Sequence, residues 1–107
     1  MEIKIEEFLM NMGFEPSQKG FGFIVKSVVV ILKNNNNPMK VSDIYNEVCG
    51  DEGIKYCTYD RLVRYAIESS YLKGCDLYCE FFNGQIPKLK DALYRFALKM
   101  KMIQEGE

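Results

Sequence analysis

The sequence contains no histidine, and its four cysteines include no C-x-x-C pair. Histidine is the most common general base and the most common metal ligand, so both roles lose their first candidate. A tetrahedral zinc site usually draws on closely spaced ligand pairs. Cys49, Cys57, Cys75 and Cys79 do not supply them, although Cys75 and Cys79 could share a helix face at i, i+4. The cysteines read as free thiols of an unstapled fold. There is no glycine-rich phosphate loop either. The carboxylates are plentiful but scattered along helix faces, as solvated acids are. These absences argue against an enzyme and imply neither a cofactor nor a small-molecule substrate. No apolar run approaches the length of a membrane span and no signal peptide opens the chain. The expectation is a soluble cytoplasmic protein with no membrane partner.

What is present is a chain of 107 residues, 48% of them apolar, opening on Met1. It reads as a whole gene product forming one domain over residues 1–107, long enough for a core without disulfides. The formal net charge is −1, so the overall field announces no nucleic-acid partner. The charge is unevenly spread. Residues 1–15 hold four glutamates against one lysine, and residues 42–53 hold four acids and no base. Residues 86–102 hold Lys88, Lys90, Arg95, Lys99 and Lys101 against Asp91 alone. That basic segment suits phosphate contact and equally suits a solvated helix face.

Apolar residues recur at helical spacing throughout, predicting about six helices and no confident strand. In residues 2–12 the stripe is Ile5, Phe8, Leu9 and Met12, ended by Gly13 and Pro16. Residues 17–33 are apolar almost all round. Their VVVI run would also suit a buried strand, but the length favours a central helix. NNNNP breaks the chain, because asparagine tolerates left-handed turns and Pro38 sets the next start. Residues 40–49 carry Val41, Ile44, Tyr45 and Val48, with Ser42 or Asp43 near the helix start. GDEG is a turn, and a strong helix spans residues 57–74. A short aromatic helix at 76–82 and a last helix at 88–103 follow.

The helix at 57–74 carries the most information. At one hundred degrees per residue, Tyr59, Leu62, Val63, Ala66, Ile67 and Ser70 form a buried stripe. Arg61, Arg64, Tyr65, Glu68 and Tyr71 face the other way, with Cys57 and Thr58 at the leading end. One reading makes this a solvated face on which Arg64 pairs with Asp60 and Glu68 at i, i±4. Each such pair is worth roughly 0.2–0.5 kcal/mol. The other reading is a helix-turn-helix, in which the second helix enters the major groove of double-stranded DNA. Arginine then reads guanine through its two-pronged guanidinium.

Four stretches in order, MGFEPSQKGFGFI, SDIYNEV, RLVRYAIESSYLKG and IPKLKDALYRFALKMKM, resemble a known family. It is the C-terminal DNA-binding domain of the master sporulation response regulator of Firmicutes. The resemblance covers roughly residues 3–102. It implies an all-α fold containing a helix-turn-helix, sequence-specific DNA binding and transcriptional regulation. It also implies pairing as a homodimer, or as a heterodimer with a related regulator. Arg61 and Arg64 match arginines of the family's recognition helix. Tyr65 stands where the family has histidine, and Tyr71 where it has tryptophan. The resemblance and the charge pattern together make Thr58, Arg61, Arg64, Tyr65, Glu68, Lys88 and Lys90 the candidate DNA contacts. The chain departs from the family in having no receiver domain, in a longer acidic turn CGDEGIKYC, in Cys57 and Thr58 replacing serine and arginine, and in a shorter loop before the last helix. Any phosphorylation switch is expected to be absent or to lie on another polypeptide.

On the last helix, Leu89, Ala92, Leu93, Phe96, Ala97 and Met100 form a buried stripe. Tyr94, Leu98 and Met102 recur on the opposite face. Such a second apolar face is either covered by the helix at 76–82 or exposed as an interface. The alternative function is therefore a protein-interaction module of the same fold that has lost DNA binding.

Overall fold

The computed structural model describes residues 2–106, and among these it is all-α. The helices are α1 (Glu2–Asn11), α2 (Lys19–Lys33), α3 (Val41–Cys49), α4 (Tyr56–Lys73), α5 (Asp76–Phe82) and α6 (Leu89–Glu105). The radius of gyration is 12.9 Å, close to the ~13 Å of a compact chain of this length.

The VVVI run is helical. Its β-branched residues tolerate the helix because α2 sits at the centre, packed against α1, α3, α4 and α6. Burial on several sides outweighs the weak intrinsic preference of valine and isoleucine for strand. Phe21, Phe23, Ile24, Val25, Val28 and Ile31 are all buried. The helix begins at Lys19, two residues later than the apolar pattern suggests, with Gln18 as its cap residue. It ends where Asn35 and Asn36 turn left-handed, at φ 55° and 58°. Ser42 and Asp43 lie near the start of α3 as expected, Asp43 in its first turn, and Lys40 is the cap residue.

α2 and α4 approach each other most closely at Gly20. A Cβ added there would stand 2.2 Å from the Leu62 carbonyl oxygen and 2.9 Å from the Ala66 Cβ. Only a residue without a side chain allows that spacing. Further along the seam, Ser27 Oγ donates to the Phe23 carbonyl at 2.6 Å. That uses its single proton, so Tyr59 Oη must donate to Ser27 Oγ, 2.5 Å away. Near the other end of α4, Ser70 Oγ donates to the Met12 carbonyl at 2.7 Å. The buried hydroxyls of the seam are thus satisfied, as burial demands.

A phenylalanine cluster closes the opposite side. Phe81 stacks on Phe96 with ring centroids 5.7 Å apart, and Phe8, Phe14 and Phe82 meet Phe96 edge-on. This cluster ties α1 and α5 to α6.

Two tests follow from the seam. Gly20→Ala should destabilise the protein by at least ~1–3 kcal/mol, because the clash is with backbone and no rotamer relieves it. Gly22→Ala in the same helix meets no atom within 4 Å. It should stabilise by about 0.5–1 kcal/mol through helix propensity. Urea unfolding of the two variants checks the contrast.

The second test is alkaline titration. Burial pushes the phenols of Tyr59 and Tyr78 up to about 12, whereas an unfolded tyrosine ionises near 10. Between those values the folded state holds more protons than the unfolded one. Stability is therefore fully present below about pH 10 and is lost as pH rises toward 12. Urea midpoints from pH 8 to 12 should show that decline, and Tyr59→Phe should reduce it, leaving the part due to Tyr78.

A candidate nucleic-acid interface on α4

α4 follows α3 after a six-residue connection, 50–55. Its apolar stripe faces inward: Tyr59, Val63, Ala66, Ile67 and Ser70 are buried, and Leu62 is half-buried. Inward packing of that stripe fixes the rotation of the helix and turns its other face to solvent. Arg61, Arg64, Tyr65 and Glu68 are exposed there, and Thr58 is half-buried at the leading end. Gly74 stops the helix in a left-handed conformation at φ 65°, as glycine does at this position.

Of the two ion pairs expected for Arg64, one forms. Its Nε donates to Asp60 Oδ2 at 2.9 Å. Glu68 makes no ion pair among the described residues, so its carboxylate is available on the outer face beside Tyr65.

Leu72 was not among the residues singled out from the sequence. It is 80% exposed and continues the line of Arg61, Tyr65 and Glu68 at spacings of four and seven. That spacing was the available signal. The outer face of α4 thus runs from Arg61, Arg64 and Tyr65 in its first and middle turns to Tyr71 and Leu72 near its end.

The acidic connection is folded back onto the body. Glu52 N donates to the Cys49 carbonyl, and the Tyr45 hydroxyl donates to the Ile54 carbonyl. Tyr45 also meets Tyr56 edge-on, centroids 5.3 Å apart. Glu52 pairs with Lys26 of α2, 3.8 Å away. One acid of the turn is therefore partly neutralised from within the chain.

The helix starts are electrostatically unusual. Lys40, Lys55 and Lys88 are the cap residues of α3, α4 and α6, and none makes a side-chain cap. Serine, threonine, asparagine or aspartate is the usual choice, and the helix N-terminus already carries partial positive charge. A lysine there concentrates positive potential beside unpaired backbone N–H groups.

Lys88 and Lys90 are both exposed. The Tyr71 and Tyr78 rings lie 6.0 Å apart, and Tyr78 Oη donates to the Gln85 carbonyl at 2.8 Å. The start of α6 is thereby placed on the Tyr71 side of the molecule. Arg61 lies ten residues before Tyr71, about 15 Å along the helix axis. The structure therefore gathers Thr58, Arg61, Arg64, Tyr65 and Glu68 on one helix and leaves Lys88 and Lys90 exposed at the start of another, α6.

The second apolar face of α6 divides into two parts. Tyr94 is half-buried and structural: its hydroxyl donates to the Asn37 carbonyl at 2.9 Å and accepts from Met39 N at 2.8 Å. Leu98 and Met102 remain 54% and 58% exposed. α5 does not cover them. It lies against Phe96, and Arg95 reaches back over the Phe82 ring to the Phe81 carbonyl. A shallow groove of about 230 Å³ remains between Phe81, Arg95, Leu98, Lys99 and Met102.

Among the cysteines, Cys49 is buried, which pushes its thiol up; Cys75 is half-buried; Cys57 and Cys79 are exposed. Among the described residues no three cysteines or carboxylates converge on a possible metal site, and no helix is long and apolar enough to cross a membrane. No protein-family description, no curated protein and no solved structure matches this chain.

The division of the α6 face is testable. Tyr94→Phe removes both hydrogen bonds to the loop before α3 and should cost about 1–2 kcal/mol. Leu98→Asp should change the stability of the isolated chain by no more than ~0.5 kcal/mol, because the site is exposed. Denaturant unfolding at low protein concentration reads both.

Proposed function

We propose that this chain is a sequence-specific DNA-binding protein acting as a transcriptional regulator in the cytoplasm. In this reading α3 and α4 work as a helix-turn-helix, and α4 enters the major groove. The observation that carries it is the outer face of α4. A helix anchored by one inward-packed apolar stripe presents two arginines on adjacent turns, with Tyr65 and Glu68 beside them. Arg61 and Arg64 would meet base edges, with Thr58, Tyr65 and Glu68 alongside. Lys88 and Lys90 would meet phosphate, which positions a protein without specifying sequence. The uncapped lysine starts of α3, α4 and α6 support phosphate contact, since helix N-termini donate backbone N–H groups to phosphate. The resemblance to the sporulation regulator's effector domain supports the same reading.

A second reading is favoured by the exposed Leu98 and Met102. There the chain pairs with a second copy or with a related regulator through α6, and modulates that partner instead of reading DNA. Sedimentation across a concentration range separates the two. Association that Leu98→Asp leaves unchanged would exclude this face as the contact.

The direct test is fluorescence anisotropy against a pool of short duplexes, including the promoter box of the resembled family. Specific binding should fall linearly in log affinity with log salt. Arg61→Ala or Arg64→Ala should each weaken it by about 1–3 kcal/mol with an unchanged unfolding midpoint. Lys88→Ala or Lys90→Ala should weaken binding to all sequences and reduce the salt slope. Affinity equal to the parent's in both arginine variants removes these side chains from the interface.

A further inference from the structure

The ion pair on the outer face of α4 has a geometry that simple neutralisation does not require. Arg64 Nε donates to Asp60 Oδ2 at 2.9 Å, and among the described residues its two terminal nitrogens have no hydrogen-bond partner. A carboxylate that only balanced the charge would gain most from two parallel bonds along one guanidinium edge. Asp60 takes one N–H instead and leaves the terminal pair as an open fork. That fork is the edge whose spacing matches O6 and N7 of guanine.

Burial says which partner holds which. The Asp60 side chain is 28% exposed and that of Arg64 55%. Asp60 lies closer to the packed stripe, one residue after the fully buried Tyr59, so its carboxylate is the less exposed end of the pair. The acid precedes the base by four residues, the favourable order on a helix. Arg61 on the same face has no such partner among the described residues.

The geometry points to Asp60 as a positioning residue that holds Arg64 by its Nε and presents the terminal fork to one guanine. This rests on the base-reading role of α4. An arginine already ordered in the free protein loses less side-chain freedom on binding. The gain is specific to the contact that Arg64 makes. The negative charge of Asp60, by contrast, opposes binding to any phosphate backbone, so the two effects have opposite signs and can be separated.

The experiment uses the full chain as wild type, Asp60→Ala, Asp60→Asn, Arg64→Ala and the double variant Asp60→Ala/Arg64→Ala. The probes are a duplex selected by the wild type from a random pool, and the same duplex with 7-deazaguanine at each guanine in turn. Anisotropy at physiological salt gives the ratio of the two affinities. The wild type should lose affinity at one guanine when N7 is removed, and Arg64→Ala should be insensitive there. Asp60→Ala should lower the ratio by about two- to tenfold, the range set by ordering one long side chain. Asp60→Asn keeps an acceptor for Nε and should recover most of the ratio. In the Arg64→Ala background, removing Asp60 should leave the ratio unchanged. Helix content by circular dichroism should be the same throughout, because the pair is at the surface.

If Asp60→Ala strengthens binding to every duplex and leaves the ratio intact, the positioning role is overturned while base reading by Arg64 stands. If the wild type distinguishes no guanine, the base-reading role fails, and the positioning role fails with it.

Discussion

The close approach of α2 and α4 at Gly20 is the constraint on which the other contacts depend. With the Leu62 carbonyl occupying the space where a side chain would begin, the two helices can keep this spacing only with glycine at position 20. On the same seam Tyr59 of α4 reaches Ser27 of α2, while Ser70 of α4 reaches the Met12 carbonyl just beyond α1. Packing alone tolerates small shifts; hydrogen bonds between buried hydroxyls do not, because an unmade one costs a full desolvation penalty. The outward direction of Arg61, Arg64, Tyr65 and Glu68 is a consequence of this inward registration.

The periphery is arranged around the seam by contacts of a different kind. Tyrosine hydroxyls tie loops to helices: Tyr94 holds the segment before α3, Tyr45 the segment after it, and Tyr78 the segment before α6. Each reaches a backbone carbonyl. The tyrosine ring supplies apolar contact while its hydroxyl satisfies loop backbone that has no helix to pair with. Tyr94, which reads in the sequence as part of a second apolar face of α6, acts in the fold as a loop anchor.

Much of the architecture is legible from spacing alone. The stripes of α1, α4 and α6 appear at the expected positions, and the asparagine run breaks the chain where left-handed residues are needed. Their cause is local, so a local pattern reveals it. Gly20 is different. In sequence it is one of two glycines flanking a phenylalanine, and nothing nearby says that Gly20 meets a helix backbone forty residues away while Gly22 meets nothing. The partners of Tyr94 and the pairing of Lys26 with Glu52 are equally non-local. Of the candidate site, the arginine face could be read from periodicity. The missing Arg64–Glu68 pair could not, because it depends on side-chain rotamers.

None of the five helices from α2 to α6 begins on a side-chain cap. A serine or aspartate at each of these positions is ordinarily worth about 0.5–2 kcal/mol. The chain therefore sits below the stability that its own backbone would permit. Protein stabilities are only about 5–15 kcal/mol in total, so several such positions amount to a large fraction of the margin that lets a protein absorb damaging substitutions. A version with conventional helix starts would drift further in sequence before unfolding. It would also have exchanged lysines for neutral or acidic groups at the starts of α3, α4 and α6. Mutational robustness and surface charge are in direct competition at the same three residues.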